Sequence, residues 1–594
     1  MKTFRAAAAS RCLLTLAAIA LSSAQLTAQI PTTHAGRVFS AWLDATNAGD
    51  RAKMKAFLDA SLPDFSLDQS MAMGARSGGY DVRKVQNSKD REIAVLLQER
   101  GPARQFQTLT LVLKDDTSDR IDDIRLRAAE PPPDLATPQL TAAELAAARN
   151  GAPFKRLNEY LNALNFGNPD VIRRFLETSY PSANVNGQVN FAEQTGGFDL
   201  RLIERATPTS IVGLVQERRS DQFARFVVVV DSTNPVKILQ LNLSAIPRPA
   251  AFPIAKMSEP ELVSALKTRL ETDAAADNFA GSIILAKLGT GPSKVLFSGA
   301  YGLADRDAKT PNTLDTKFRI GSMNKMFTAT SILQLVQAGK IKLTDALGKY
   351  VTDYPNKDVA TKVTIHQLLT HTGGTGDIFG PDFSAHRLDL KTHDDYVKLY
   401  GARGLRFEPG SKWEYSNYGM LLLGVVIERV TGQSYYDYVA EHVFKPAGMT
   451  HSGSEPEDKA VSERSNGYMR RNGAWTPNTT TLPYRGTAAG GGYSTVGDLL
   501  RFAEALMSHK LLNAQYTDML FTGKVDVGNG QMYAYGFEDG RKNGVGAVGH
   551  GGGAPGMNGE LQIYPQSGYV IAVLSNLDPP AASRLNGFID PRLP

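Results

Sequence analysis

The sequence predicts a multidomain chain, with two tandem α+β modules followed by one larger α/β domain that carries the chemistry. Three observations point there. The chain is 594 residues long, and at about 150 residues per folded unit that is room for three or four. Before residue 250 the sequence repeats itself at an offset of 118. Near residue 256 the texture changes, and all the histidines except His34 lie beyond residue 360.

Composition narrows the function classes. With 42% hydrophobic and 21% charged residues, the chain can bury a sizeable core, which excludes wholesale disorder. Lys+Arg of 65 against Asp+Glu of 60 leaves +5, too small an excess on this length to indicate a nucleic-acid partner. The single cysteine, Cys12, excludes a disulfide framework and a cysteine-based metal cluster.

Residues 1–28 read as a secretory leader. Lys2, Arg5 and Arg11 precede an uncharged apolar run from Leu13 to Leu21, and small residues follow, with cleavage after Ala24 or Ala28. The apolar run is well short of the roughly 20 residues of a spanning helix, so no stable membrane anchor is expected. The expected location is periplasmic or secreted. Cleavage would leave a mature chain without cysteine, so any nucleophile must be an oxygen.

The repeat spans residues 35–133 and 150–248. Trp42-Leu43 matches Tyr160-Leu161, and Asn47 and Gly49 match Asn165 and Gly167. Further on, Gly78-Gly79-Tyr80-Asp81 matches Gly196-Gly197-Phe198-Asp199, and Gln98-Glu99-Arg100 matches Gln216-Glu217-Arg218. Each copy opens with helical periodicity (Val38, Trp42, Phe57-Leu58) and turns to alternation, as in Phe106 to Leu113. Helices followed by an antiparallel meander make an α+β unit. The order resembles nuclear-transport-factor-two-like modules, which implies ligand binding, dimerisation or a spacer role. Pro131-Pro132-Pro133 and the stretch from Pro247 to Pro253 punctuate the copies like linkers.

The third region, residues 256–594, opens with an amphipathic helix (Leu262, Leu266, Leu270) and two strand-like runs at Ser282–Leu285 and Val295–Phe297. Three short elements then occur in order: Ser322-Met323-Asn324-Lys325, Tyr415-Ser416-Asn417 and His550-Gly551-Gly552. Singly they are weak. Ser264 to Lys267 also fits Ser-x-x-Lys, and Tyr354-Pro355-Asn356 also fits Tyr-x-Asn. Context separates them, because Ser264 lies within an ordinary amphipathic helix while Ser322 follows an extended run broken by Gly321 and opens a new helix.

The spacing has a chemical logic. Three residues are nearly one helical turn, which brings the Lys325 amine beside the Ser322 hydroxyl. Unpaired N–H groups at a helix start favour negative charge there. Serine is a poor nucleophile until a neighbour takes its proton, and Lys325 with Tyr415 can supply that base, the ammonium lowering the phenol toward a useful value. Asn417 offers an acceptor and donors for a substrate amide. His550 opens the glycine-rich run to Gly556, whose bare backbone lets a substrate approach as an added strand.

These elements, with Phe318-Arg319-Ile320-Gly321-Ser322, Leu369-Thr370-His371-Thr372-Gly373-Gly374, Phe407-Glu408-Pro409-Gly410 and Gly490 to Thr495 with Asp498, resemble the serine β-lactamase and penicillin-binding-protein superfamily in its class C-related branch. That resemblance implies a β-lactamase/transpeptidase-like domain, with an antiparallel sheet flanked by helices and a helical subdomain. It implies Ser322 as the acylated nucleophile, Lys325 and Tyr415 as its joint activators, and Asn417, His550 and Gly552 as substrate-binding residues. The oxyanion hole would be the backbone N–H groups of Ser322 and Gly553.

The third motif departs from the family's Lys-Thr-Gly. His550 replaces a fixed cation that would meet a substrate carboxylate with a group titrating near neutrality. An exported esterase, amidase or D-specific peptidase is therefore favoured over a β-lactamase or a D-alanyl-D-alanine carboxypeptidase. The expected substrate is a small molecule or short peptide, including one derived from cell wall. No cofactor and no metal are expected, since no His, Asp and Glu group has ligand spacing. The rival reading is a non-catalytic binding protein with a relic hydrolase domain, against which the joint retention of serine, lysine, tyrosine and asparagine argues. His371 is expected to fix a turn rather than join the chemistry.

Overall fold

A computed structural model describes residues 28–594 apart from 102, 103, 116, 130, 131, 133–139, 290, 472, 473, 529, 530 and 542. The leader up to residue 27, with Cys12 and the first cleavage position, lies outside the described residues, as do Pro131 and Pro133. Two compact units, 1–252 and 253–594, divide the chain. Among the described residues no helix is long and apolar enough to cross a membrane.

In the first unit, helices His34–Ala48, Arg51–Ser61 and Leu67–Ser77 precede the strands Tyr80–Ser88, Glu92–Glu99, Phe106–Leu113 and Ile121–Ala129. These strands form an antiparallel meander in chain order. After a capped helix at Ala142–Asn150 the same order returns: Ala152–Phe166, Pro169–Ser179, Val185–Thr195, then Phe198–Ala206, Ser210–Glu217, Phe223–Val230 and Ile238–Ile246. The irregularities in the first strand pair, at Val82/Lys84 and Val85/Asn87, recur at Leu200/Leu202 and Ile203/Arg205.

The shared Gly-Gly-aromatic-Asp motif has a physical cause. The Asn47 side chain both accepts from the Tyr80 N–H (2.6 Å) and donates to its carbonyl (3.0 Å). Asn165 does the same to Phe198, at 2.7 and 3.1 Å. Gly79 and Gly197 share φ +86°, and a Cβ on either would fall within 2.4 Å of the asparagine Oδ1. Only a bare, left-handed residue lets the asparagine reach the strand.

The second unit is built on an eight-stranded antiparallel sheet. Its order is Lys294–Tyr301, Gly281–Lys287, Tyr569–Ser575, Met557–Ile563, Val548–Ala554, Glu538–Asp539, Gln531–Tyr533 and Val525–Gly528. Alternate side chains of the central strand Tyr569–Ser575 enter different cores, as strand geometry requires. Ile571 and Val573 pack with Leu262, Leu266 and Leu270 of helix Glu259–Ala275 and with Leu585 of helix Ala581–Ile589. Val570, Ala572 and Leu574 join the larger core with Phe327, Leu421 and Leu499, from helices Asn324–Gln337, Asn417–Thr431 and Val496–Met507. This is a β-lactamase/transpeptidase-like α/β domain, a sheet flanked by helices with a helical region on one face.

Candidate active site

Ser322 sits in the short 3₁₀ turn Gly321–Met323, which feeds helix Asn324–Gln337. The turn is held from both sides. Gly491 N–H donates to the Gly321 carbonyl at 3.1 Å, and Ile320 N–H to the Gly492 carbonyl at 3.3 Å. Strand Val548–Ala554 runs along the other side, where a Cβ on Gly552 would stand 1.9 Å from the Ile320 oxygen. The bare Gly552 lets this turn press against the strand, and Gly552 is not among the residues that line the cavity at Ser322. The Gly553 nitrogen lies 3.2 Å from where a Cβ on Gly321 would be, so its N–H is placed beside the turn that carries Ser322.

Lys325 is completely buried, and its Nζ reaches Ser322 Oγ (3.2 Å), Asn417 Oδ1 (2.7 Å) and the Ala489 carbonyl (2.5 Å). Burial pushes its pKa down to about 7, the nearby Asp377 carboxylate only partly opposing the shift. Asn417 opens helix Asn417–Thr431, whose N-cap Ser416 accepts from Gly419 N–H at 2.8 Å. Its orientation is fixed by Asp377, which accepts from Asn417 N (3.1 Å) and Nδ2 (3.2 Å). One Nδ2 hydrogen remains for a ligand.

Tyr415 lies with its ring centroid 4.7 Å from Lys325 Nζ, and its phenol is near enough to Ser322 for the serine to influence its titration. The phenol is raised, not lowered. Burial dominates, and the charges of Glu538 and Asp377 add to it, while Ser322 only partly offsets the rise. The expected stabilisation of a phenolate fails because the burial that surrounds Tyr415 also drives its neighbouring amine toward neutrality.

His550 departs further from expectation. Its side chain is buried at 3% exposure, Nε2 lies 3.1 Å from the Tyr533 hydroxyl and Nδ1 2.5 Å from the Gly551 carbonyl. Burial first, then the Lys325 charge, push its pKa down to about 3. It neither titrates near neutrality nor lines the cavity at Ser322.

His371 does fix a turn, at φ +59° after helix Ile365–Leu369, and it also stacks on Tyr415 with centroids 4.4 Å apart. The Ser416 N–H donates to its Nδ1 at 3.2 Å, so Nε2 carries the proton and donates to the Tyr533 hydroxyl at 2.9 Å. Tyr533 in turn donates to His550 Nε2, leaving His550 Nδ1–H for Gly551. One directed hydrogen-bond chain thus joins the second and third sequence elements, and Lys325 ties the first to the second through Asn417 Oδ1. Tyr533 and Asp377, which bind them together, carry no motif that the sequence alone would reveal.

The look-alike patterns fall elsewhere. Ser264 and Lys267 are exposed on helix Glu259–Ala275, and Tyr354 is buried with its hydroxyl 3.1 Å from that of Tyr418. Thr495 caps helix Val496–Met507, its hydroxyl accepting from Asp498 N–H at 3.1 Å.

Ser322, Asn417 and Gly553 open onto a cavity of about 340 Å³ whose walls include Ile378, Phe383, Leu482 and Met557. Its chemistry is that of a serine held between a buried amine and a protonated phenol, facing an apolar hollow.

A family model described as Beta-lactamase matches residues 285–590. Bacillus subtilis (strain 168) PbpX, named as a penicillin-binding protein, is 30% identical over 298 residues, covering 50% of this chain and 70% of that one. Penicillin-binding protein 4* of the same organism is 28% identical over 336 residues, covering 52% and 71%. The crystal structure of a penicillin binding protein from Bacillus halodurans superposes with a TM-score of 0.50 at 32% identity, covering 54% of this chain and 98% of that one.

Proposed function

The chain belongs to the beta-lactamase family of serine hydrolases, and on that premise we propose an exported hydrolase acting through an acyl-enzyme at Ser322. Its substrate is an ester, an amide or a D-amino-acid peptide. The observation that carries this reading is the Lys325 amine, buried and shared among Ser322, Asn417 and Ala489. A neutral amine has two N–H groups and one lone pair. The N–H groups serve Asn417 and Ala489, and the lone pair is left facing Ser322 Oγ.

In this mechanism Ser322 Oγ attacks the carbonyl carbon as its proton passes to Lys325. The Tyr415 phenol stays protonated and donates to the developing alkoxide. The carbonyl electron pair moves onto oxygen, where the Ser322 and Gly553 N–H groups receive it. Collapse breaks the bond to the leaving alcohol or amine, which takes the proton from Lys325. Water then cleaves the acyl ester, releasing the acid and restoring Ser322.

The leader-like residues 1–28 support export. The matching helix and strand order of the first unit, and its twice-used Asn-to-strand bracket, support reading that unit as a duplicated module. A fluorophosphonate probe is expected to label the wild type and not Ser322→Ala. An unlabelled wild type, or equal labelling of both, overturns the assignment.

A further inference from the structure

We propose that this site takes uncharged substrates whose acyl portion is apolar, and that it rejects substrates bearing a free carboxylate on the acyl portion or beside the scissile bond. The inference rests on the acyl-enzyme reading above and names the substrate class of that site. Three observations carry it.

The first is the cavity lining. Ser322, Asn417, Thr481, Thr487 and the phenol of Tyr396 supply its polar side chains, and no Lys, Arg, His, Asp or Glu is among the described residues that line it. Ile378, Phe379, Phe383, Leu482 and Met557 supply hydrocarbon and aromatic surface. A pocket of about 340 Å³ is large enough to bury a phenyl ring or a medium acyl chain.

The second is where the charges sit. The residue opening the third motif could have supplied a cation, but the ring of His550 faces Tyr533 and Gly551 with both nitrogens occupied. Arg387 is not part of the lining and spends its Nη1 on the Leu482 carbonyl at 2.9 Å. Of the charged groups behind the wall, the Lys325 amine is spent on the lining residues Ser322, Asn417 and Ala489, and the nearby carboxylate is that of Asp377. Asp377 holds Asn417 by two hydrogen bonds and directly precedes the lining residues Ile378 and Phe379. A substrate carboxylate entering here would lose its hydration, meet no cation among the lining side chains and approach the residue, Asn417, that the Asp377 carboxylate holds.

The third is the mouth. Phe379 is 63% exposed, a large aromatic left in water, and it meets the buried Phe383 edge to face at 5.1 Å. An apolar acyl group arriving at the cavity would cover it, which gives the exposed ring a use.

Matched substrates test the proposal on the full-length chain. One pair is the p-nitrophenyl esters of hexanoate and of adipate, identical but for a terminal carboxylate. Another is a D-alanyl-D-alanine peptide with its C-terminus amidated or free. The neutral member is expected to have kcat/KM about tenfold or more above its charged partner, a tenfold ratio corresponding to about 1.4 kcal/mol. Across acetate, butyrate and hexanoate esters, kcat/KM is expected to rise by about fourfold per methylene while the cavity fills. Phe379→Asp, a change at an exposed position, is expected to lower the hexanoate-to-acetate selectivity ratio about tenfold.

Fluorophosphonate labelling at Ser322 is measured in parallel. If Ser322 is labelled but charged partners react as well as neutral ones, the proposal is overturned and the acyl-enzyme reading stands. A labelled Ser322 with no dependence of kcat/KM on acyl chain length overturns the proposal in the same way. If Ser322 is not labelled, the acyl-enzyme reading falls and takes the proposal with it.

Discussion

Lys325 concentrates the chemistry of the site in one side chain. Its ordinary pKa of 10.5 falls to about 7 because the ammonium has left water without gaining a carboxylate contact, the charge of Asp377 opposing the shift only in part. Two consequences follow from that shift. As the base must be neutral, kcat/KM is expected to rise with pH on a limb centred near 7, and Lys325→Ala is expected to lower kcat by about 10²–10⁴-fold. A pH–rate profile of the wild type checks the first, and turnover by the variant the second. Stability follows the same shift. Between about pH 7 and 10 the unfolded chain binds a proton at this lysine that the folded chain does not, so stability rises with pH there, by at most about 1.4 kcal/mol per unit. Below about pH 7 both states are protonated and the gain is absent. Denaturant midpoints of Lys325→Met, compared with wild type across that window, are expected to lose this contribution.

At the scale of elements, the site is a set of short segments held to one another by backbone and ring nitrogens. The loop carrying Ala488 and Ala489 is pinned from behind. The Ala488 N–H donates to His393 Nε2 at 3.1 Å, and His393 Nδ1–H donates to Glu428 at 3.0 Å. This pair fixes the carbonyl that receives Lys325. Tyr533 plays the corresponding part on the other side, between His371 and His550. Tyr533→Phe removes one acceptor and one donor together, leaving a buried N–H and a buried ring nitrogen unpaired. It is expected to cost about 1–3 kcal/mol in chemical denaturation and to lower kcat through the loosened His371–Tyr415 stack. The three elements that carry Ser322, Tyr415 and His550 were legible in the sequence because each is a short run with a distinctive composition. Tyr533, Asp377 and His393 were not, because their hydrogen-bond partners lie 17 to 162 residues away along the chain.

At the scale of the whole molecule, each hydrophobic core draws its residues from one unit. Among the described residues, three clusters, one of them the small pair Val212 and Val227, contain residues of the first unit only, and the two that enclose the eight-stranded sheet contain residues of the second only. Residues 253–594, expressed alone, are therefore expected to fold and to retain the full-length kcat/KM toward p-nitrophenyl esters, as measured by steady-state turnover. Loss of activity with intact folding would instead make the first unit part of the working enzyme. The sequence by itself determined the repeated α+β order, the extent of the third region, and the grouping of Ser322, Lys325, Tyr415 and Asn417. The repeat order and the pairing of Ser322 with Lys325 follow from periodicity, turn chemistry and helical spacing, all local properties, while Tyr415 and Asn417 join them through the family resemblance. Only the tertiary structure decided which of these groups are charged. Helical spacing places an amine beside a hydroxyl, but whether that amine is an ammonium depends on the water and countercharges that distant segments remove or supply. Burial by those segments brought Lys325 down to about 7, where its neutral form is accessible, kept Tyr415 protonated and left His550 an uncharged brace.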